Sequence, residues 1–358
     1  MAEITSPLSP YAFWHRGTPT AVIFPVKTFE YHIRIVGGLL GAFAVSGRRE
    51  LLRAAAHAAD CVLTTFATPN GIPRPFFRVA HPTRSPLLSL LARFLDGVRL
   101  SYDPMVWQNY LASIGSFGLE LRVLTRETGD QRYAGAADAL HALIYRRWVQ
   151  YGRQELLPWR WAVPPPTWAV KYFWGVTVAD DPFATPMVGF GSAGDSYYEY
   201  LVKEQLFDPG DATASQREIY DHVAKKCHHR NSSAVRHDKG EESLGKNGTV
   251  TVVAGGGSMS QQPHLACFAG GMFALGAKML PGHAADAWLA AGITEQCLKS
   301  YTMTQTGLGP EITWINASGG LEMSGGRYHL RPEVIESLFV LFRTTGEERY
   351  VLLPFISY

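Results

Sequence analysis

The chain has 358 residues, enough for one large domain or two average ones, and a buried core follows from that length. Lys and Arg total 33 against 31 for Asp and Glu, and a formal net charge of +2 leaves no basic excess for a nucleic-acid surface. The 46% hydrophobic and 18% charged content is globular, and no run reaches the ~18–20 apolar residues of a membrane helix.

In chain order, Met1 to Arg16 shows no apolar run behind a basic start, so no signal peptide is read there. Leu39 to Leu52 (LLGAFAVSGRRELL) is an apolar helical run, a Ser before Gly, then polar residues opening a second run. The phrase returns at Leu119 to Tyr133 (LELRVLTRETGDQRY) and at Leu338 to Tyr350 (LFVLFRTTGEERY). A glycine just past a helix takes the left-handed cap, so each phrase predicts a helical hairpin turning at Gly47, Gly129 or Gly346. Leu51 to Phe66 and Tyr133 to Tyr151 carry apolar residues three and four apart, as second helices should. Recurrent hairpins that cannot bury their faces alone imply a stacked or closed α/α array.

Between the hairpins, Thr68 to Pro73 reads as a tight turn and Trp159 to Trp168 (WRWAVPPPTW) as a proline-rich loop. Gly189 to Gly194 matches GxGxxG, but the Asp- and Pro-bearing stretch before it cannot be a central strand, so it is no dinucleotide site. Residues 208–263 read as a polar surface insert. Its His222, Cys227, His228, His229 and His237 lack the paired spacing of a zinc site and read as a solvated loop. Three sequons, at Asn231, Asn247 and Asn316, lean towards a secreted context.

Four acids stand where loops give way to apolar runs: Glu30, Asp195, Glu311 and Glu333. The helix dipole alone favours carboxylates there. If the hairpins close into a ring, the same acids converge on one pocket. No Ser–His or Cys–His nucleophile signature accompanies them, which points to acid–base hydrolysis, glycoside cleavage being a common form. Glu30 and Arg34, one helical turn apart, are placed to pair.

From Phe29 to Tyr350 the chain resembles the class I α-mannosidases, glycoside hydrolase family 47. The phrases that carry the resemblance are FEYHIRIVGGLL (Phe29 to Leu40), GSFGLELRVLTRETGD (Gly115 to Asp130) and GDSYYEYLVK (Gly194 to Lys203). HLACFAGGMFALG (His264 to Gly276), TGLGPE (Thr306 to Glu311) and LRPEVIESLFVLFRTTG (Leu330 to Gly346) follow in family order. The resemblance implies an all-α (α/α)7 barrel over residues 28–358, with 1–27 unmatched. It implies removal of terminal α-1,2-linked mannose from high-mannose N-glycans with inversion, using calcium.

Carried over by motif, Glu30 is the proton donor, Glu333 the base that activates water, and Asp195 and Glu311 are further catalytic acids. Arg34, His264, Arg331 and Glu336 fall on sugar-contacting or calcium-shell positions. Cys267 and Cys297 match the family's disulfide, leaving Cys61 and Cys227 free. Inversion asks for acid and base carboxyls roughly 6.5–9.5 Å apart.

Departures from the family are equally specific. Ser113 stands where some members carry a sugar-binding acid, and the opening LDTL and closing TEAH phrases, the latter with the calcium-binding Thr, have no counterpart. The expectation is therefore a barrel lacking its first and last hairpins, of secretory-pathway or secreted origin, with its leader or anchor missing. Catalytically inactive glycan binding, in a lectin-like or quality-control role, and an inactive fragment are the alternative expectations.

Overall fold

The computed structural model describes residues 24–79, 108–153, 156–163, 189–210, 213–235, 261–315, 321–323 and 326–352. In chain order its elements begin with β1 (Phe24–Lys27), α1 (Thr28–Tyr31), α2 (Gly37–Ser46), α3 (Arg49–Leu63) and β2 (Phe76–Val79). Next come β3 (Gln108–Tyr110), α4 (Leu111–Gly115), α5 (Gly118–Thr128), α6 (Gln131–Gln150) and β4 (Arg160–Ala162). They continue with α7 (Asp195–Phe207), α8 (Ala214–Val235), β5 (Gln261–Pro263), α9 (Phe268–Met279) and α10 (Asp286–Thr302). The last are β6 (Ile312–Ile315), β7 (Leu321–Met323), α11 (Glu333–Thr345) and α12 (Arg349–Leu352). Among the described residues no helix is long and apolar enough to cross a membrane.

The described residues fall into two compact units, each drawn from non-contiguous stretches. One holds 24–79, 108–109, 116–143 and 161–163; the other holds 110–115, 144–153, 156–160, 189–210, 213–235, 261–315, 321–323 and 326–352.

All three glycine turns form where the sequence places them. Gly47, Gly129 and Gly346 have φ of 67°, 79° and 77°, a region open to glycine and costly for a residue with a Cβ. Their N–H groups donate back to Phe43, Thr125 and Phe342 at 2.7, 2.8 and 2.8 Å, satisfying carbonyls the helix ends would leave bare.

In the first unit β1 pairs antiparallel with β2. Thr28 anchors the helix that follows: its N–H donates to the Pro75 carbonyl at 2.9 Å and its hydroxyl to the Arg74 carbonyl at 2.7 Å. That helix widens into a π-helical turn, His32–Val36, before α2. On α3 the buried side chains are Leu52, Ala55, Ala58, Ala59 and Val62, three or four apart along one stripe that faces the core. Val45 on α2 is 91% exposed.

The second unit is built around α9, whose residues from Phe268 to Ala274 are all buried. It packs against α7, α10 and α11. Ser337 of α11 fastens the contact, accepting from the Gly271 N–H at 2.8 Å and donating to the Cys267 carbonyl at 2.6 Å. A disulfide joins Cys267, ahead of α9, to Cys297 in α10, while Cys61 and Cys227 are free. The antiparallel sheet β5-β6-β7 completes the unit. On α11, Ile335 and Phe339 are 57% and 58% exposed.

Two expectations need correction. The stretch 208–263 is not polar loop in its first half: α8 occupies it, with Ile219, Tyr220, Val223 and Ala224 buried. Those four recur at helical spacing between polar residues, enough to bury one stripe. His222, Cys227 and His228 therefore ride on a packed helix; His237, Gly255 to Gly257 and the sequons at Asn247 and Asn316 lie outside the described residues. Glu311 precedes a strand, β6, rather than a helix, because Ile-Thr-Trp-Ile is β-branched and aromatic and finds partners in β5 and β7.

Candidate active site

In the first unit Glu30 lies in α1 and Arg34 in the π-helical turn. The Arg34 Nε donates to Glu30 Oε2 at 2.6 Å, the pairing their spacing predicts. Beneath them His32 is fully buried, its Nε2 3.2 Å from Glu120 Oε2 and its ring edge-to-face with Phe117.

The second unit gathers Asp195, His264, Glu311, Arg331, Glu333 and Glu336. Asp195 and Glu333 are the first residues of α7 and α11, one after Gly194 and the other after Pro332. The glycine run that mimics a dinucleotide loop seats the first of them: the Gly191 carbonyl accepts from the N–H of Gly194 at 2.8 Å and of Asp195 at 2.9 Å. His264 follows β5 and Glu311 precedes β6, and the His264 N–H donates to the Glu311 carbonyl at 2.9 Å. Leu330, with φ of 54°, turns the chain into Arg331, which grips Glu311 with Nε at 2.9 Å and with a second guanidinium nitrogen.

Electrostatics separate these acids. Hydrogen bonding to Arg331 holds Glu311 below the usual carboxylate range, and the pairing raises Arg331 in turn. Asp195 moves the other way. Burial pushes it up to about 7 and the charges of Glu199 and Glu333 add to that, while hydrogen bonds from Ser196 offset only part. Near neutral pH Asp195 can therefore hold or give up a proton.

His264 and Glu333 face each other with Nδ1 and Oε2 3.3 Å apart. Both atoms are buried and neither has a hydrogen-bond partner, since the pair is close but out of line. The His264 Nε2 meets the Tyr301 hydroxyl at 2.6 Å.

Sequence reasoning missed Glu199, Lys203, Tyr301 and His329. His329 Nδ1 stands 3.7 Å from Glu311 Oε2. Lys203 bonds both Glu199 and, at 3.1 Å, Glu336. The signal for Glu199 and Lys203 was present, since both lie on the helical face that starts at Asp195. Ser113 lies within α4 and brings no carboxylate.

Calcium takes about six to eight oxygen ligands. Among the described residues no group of three or more His, Cys, Asp or Glu side chains is arranged to hold a metal ion. One acid pair among the described residues, Glu199 and Glu336, already shares the Lys203 ammonium. By themselves the described carboxylates and imidazoles do not build a calcium site.

Against known proteins, the family model described as Glycosyl hydrolase family 47 matches residues 20–353. The chain is 30% identical over 334 residues to mannosyl-oligosaccharide alpha-1,2-mannosidase IA of Drosophila melanogaster, covering 91% of this chain and 43% of that one. It is 28% identical over 339 residues to endoplasmic reticulum mannosyl-oligosaccharide 1,2-alpha-mannosidase of Homo sapiens, covering 91% and 42%. The chain thus spans less than half the length of these relatives. Among solved structures, alpha-1,2-mannosidase from Trichoderma reesei aligns with a TM-score of 0.68 at 23% identity, covering 92% of this chain and 66% of that one. That likeness shows the fold, the (α/α)7 architecture of helical hairpins.

Proposed function

The chain belongs to glycosyl hydrolase family 47, and on that premise we propose that it hydrolyses terminal α-1,2-linked mannose of high-mannose N-glycans with inversion. The observation that carries the reading is the buried pair Glu333 Oε2 and His264 Nδ1, 3.3 Å apart and without a hydrogen bond. Buried polar atoms are normally satisfied, so a carboxylate left open here suits a base that receives a water.

In the proposed step Glu333 takes a proton from that water as its oxygen attacks the anomeric carbon. The glycosidic bond breaks on the opposite face, and the leaving oxygen takes a proton from an acid. Glu30, protonated for that step, is the donor by family motif, and Arg34 orients its carboxyl group. Asp195, poised at about 7, supplies or holds a proton beside Glu333. Glu311 stays ionised and fixes Arg331, which with His264 and Glu336 contacts the sugar. We place the protein in the secretory-pathway lumen or outside the cell; the Cys267–Cys297 disulfide supports an oxidising compartment.

The test is mannose release from α-1,2-linked mannobiose by the full chain, with calcium and with chelator, followed by NMR. β-Mannose should appear first, and Glu333→Gln should stop release while leaving sugar binding. α-Mannose appearing first would overturn inversion; binding without release from folded protein would favour the glycan-binding reading. Chelator sensitivity would show that donors beyond the described residues complete a calcium site.

A further inference from the structure

Asp195, Glu199 and Lys203 follow one another at four-residue intervals, so they rise along one face of α7. Across from them α11 presents Glu333 and Glu336. The Lys203 ammonium donates to Glu199 and to Glu336 Oε1 at 3.1 Å, so one cation bridges two helices. Beyond burial, the charge of Glu336 in turn pushes the Glu199 carboxyl up. Two carboxylates that close cannot both stay charged unless a cation or a shared proton sits with them. Arg331, a second cation near Glu333 and Asp195, is committed to Glu311.

We propose that Lys203 is a positioning residue: its bridge fixes the Glu336 carboxylate in the orientation that meets the mannose hydroxyls and supplies the counter-charge for the Glu199–Glu336 pair. Burial pulls the ammonium down, but Glu199 and Glu336 outweigh it and hold Lys203 above the ordinary lysine value. Burial pushes Glu199 up even with the ammonium beside it. Without the ammonium the pair would share a proton, and Glu336 would lose the anchor that Lys203 gives it. The sugar-orienting role rests on the glycosidase reading; the bridge itself does not.

The experiment uses the full chain with carbon-13 at the glutamate carboxyls, as wild type, Lys203→Met and Lys203→Arg. In Lys203→Met the titration midpoint of the Glu199–Glu336 pair should rise by about one pH unit or more, because an opposite charge within hydrogen-bonding distance has been removed. KM for α-1,2-linked mannobiose should rise about tenfold with kcat changing less, the mark of lost binding rather than lost chemistry. Lys203→Arg should restore most of both.

An unmoved carboxyl titration, or an Arg variant no better than Met, would overturn the proposal. A moved titration with unchanged KM would overturn the positioning role. If wild type releases no mannose but the titration moves as expected, the glycosidase reading fails and the bridge stands. Should Lys203→Met fail to fold, Lys203→Gln carries the same expectations.

Discussion

Asp195 and Asp286 are each the first residue of a helix in the same unit, yet they acquire opposite acid strengths. The helix dipole is common to both and cannot separate them. Burial pushes Asp286 up, but hydrogen bonds from His228, Tyr220 and His283 outweigh it and hold the carboxyl below its ordinary range. Those contacts are 2.8 Å from His228 Nε2, 2.7 Å from the Tyr220 hydroxyl and 2.8 Å from His283 Nδ1. Asp195 is drawn into the protein with Ser196 as its main offset, and rises to about 7. A carboxylate given donors becomes a fastener between helices; one denied them becomes an acid able to carry a proton.

The sharpest way to break this contrast is Asp195→Asn. Mannose release in single turnover should fall about 10³-fold, the scale of a lost general acid or base. The fold should survive it. The native pKa lies above the unfolded value of about 3.9, so between about pH 4 and pH 7 the native chain holds a proton the unfolded chain has lost. Stability therefore falls as pH rises through that window. Asp195→Asn should melt higher than wild type at about pH 8 and alike at about pH 4.

Asp286→Ala should do the reverse, leaving mannose release intact and destabilising the fold by about 3 kcal/mol, since the buried Tyr220 and the half-buried His228 and His283 lose the carboxylate they share. Chemical denaturation reads this directly. With a native pKa below the unfolded one, the contribution of Asp286 is present above about pH 4 and is lost as pH falls through the native value. The deficit of the variant should shrink accordingly in acid.

Gly276→Ala is the mildest probe. A Cβ there would lie 1.8 Å from the Tyr220 hydroxyl, so that ring must leave Asp286. Overpacking of this kind should cost about 2 kcal/mol, again by denaturation, with Asp195 chemistry untouched.

What was legible in the sequence was local. The turns at Gly47, Gly129 and Gly346 follow from a left-handed cap that each glycine carries with it. Glu30 and Arg34 pair because four residues make one helical turn. Asp195 and Glu333 open helices because glycine and proline end what precedes them.

Glu311 was misplaced because a four-residue apolar run reads equally as helix or strand until its partners are known, and those are β5 and β7. The bridge from Lys203 was hidden for the same reason, since Glu336 lies 133 positions away. On α8 the polar majority concealed four buried hydrophobic residues, and with them donors that set Asp286 apart.

The most direct single measurement is the rate of α-1,2-linked mannobiose hydrolysis by the wild-type chain between about pH 4 and pH 9. A profile that bends near pH 7, where Asp195 gives up its proton, is the expected result. A flat profile through that range, or folded chain releasing no mannose at any pH, would contradict it.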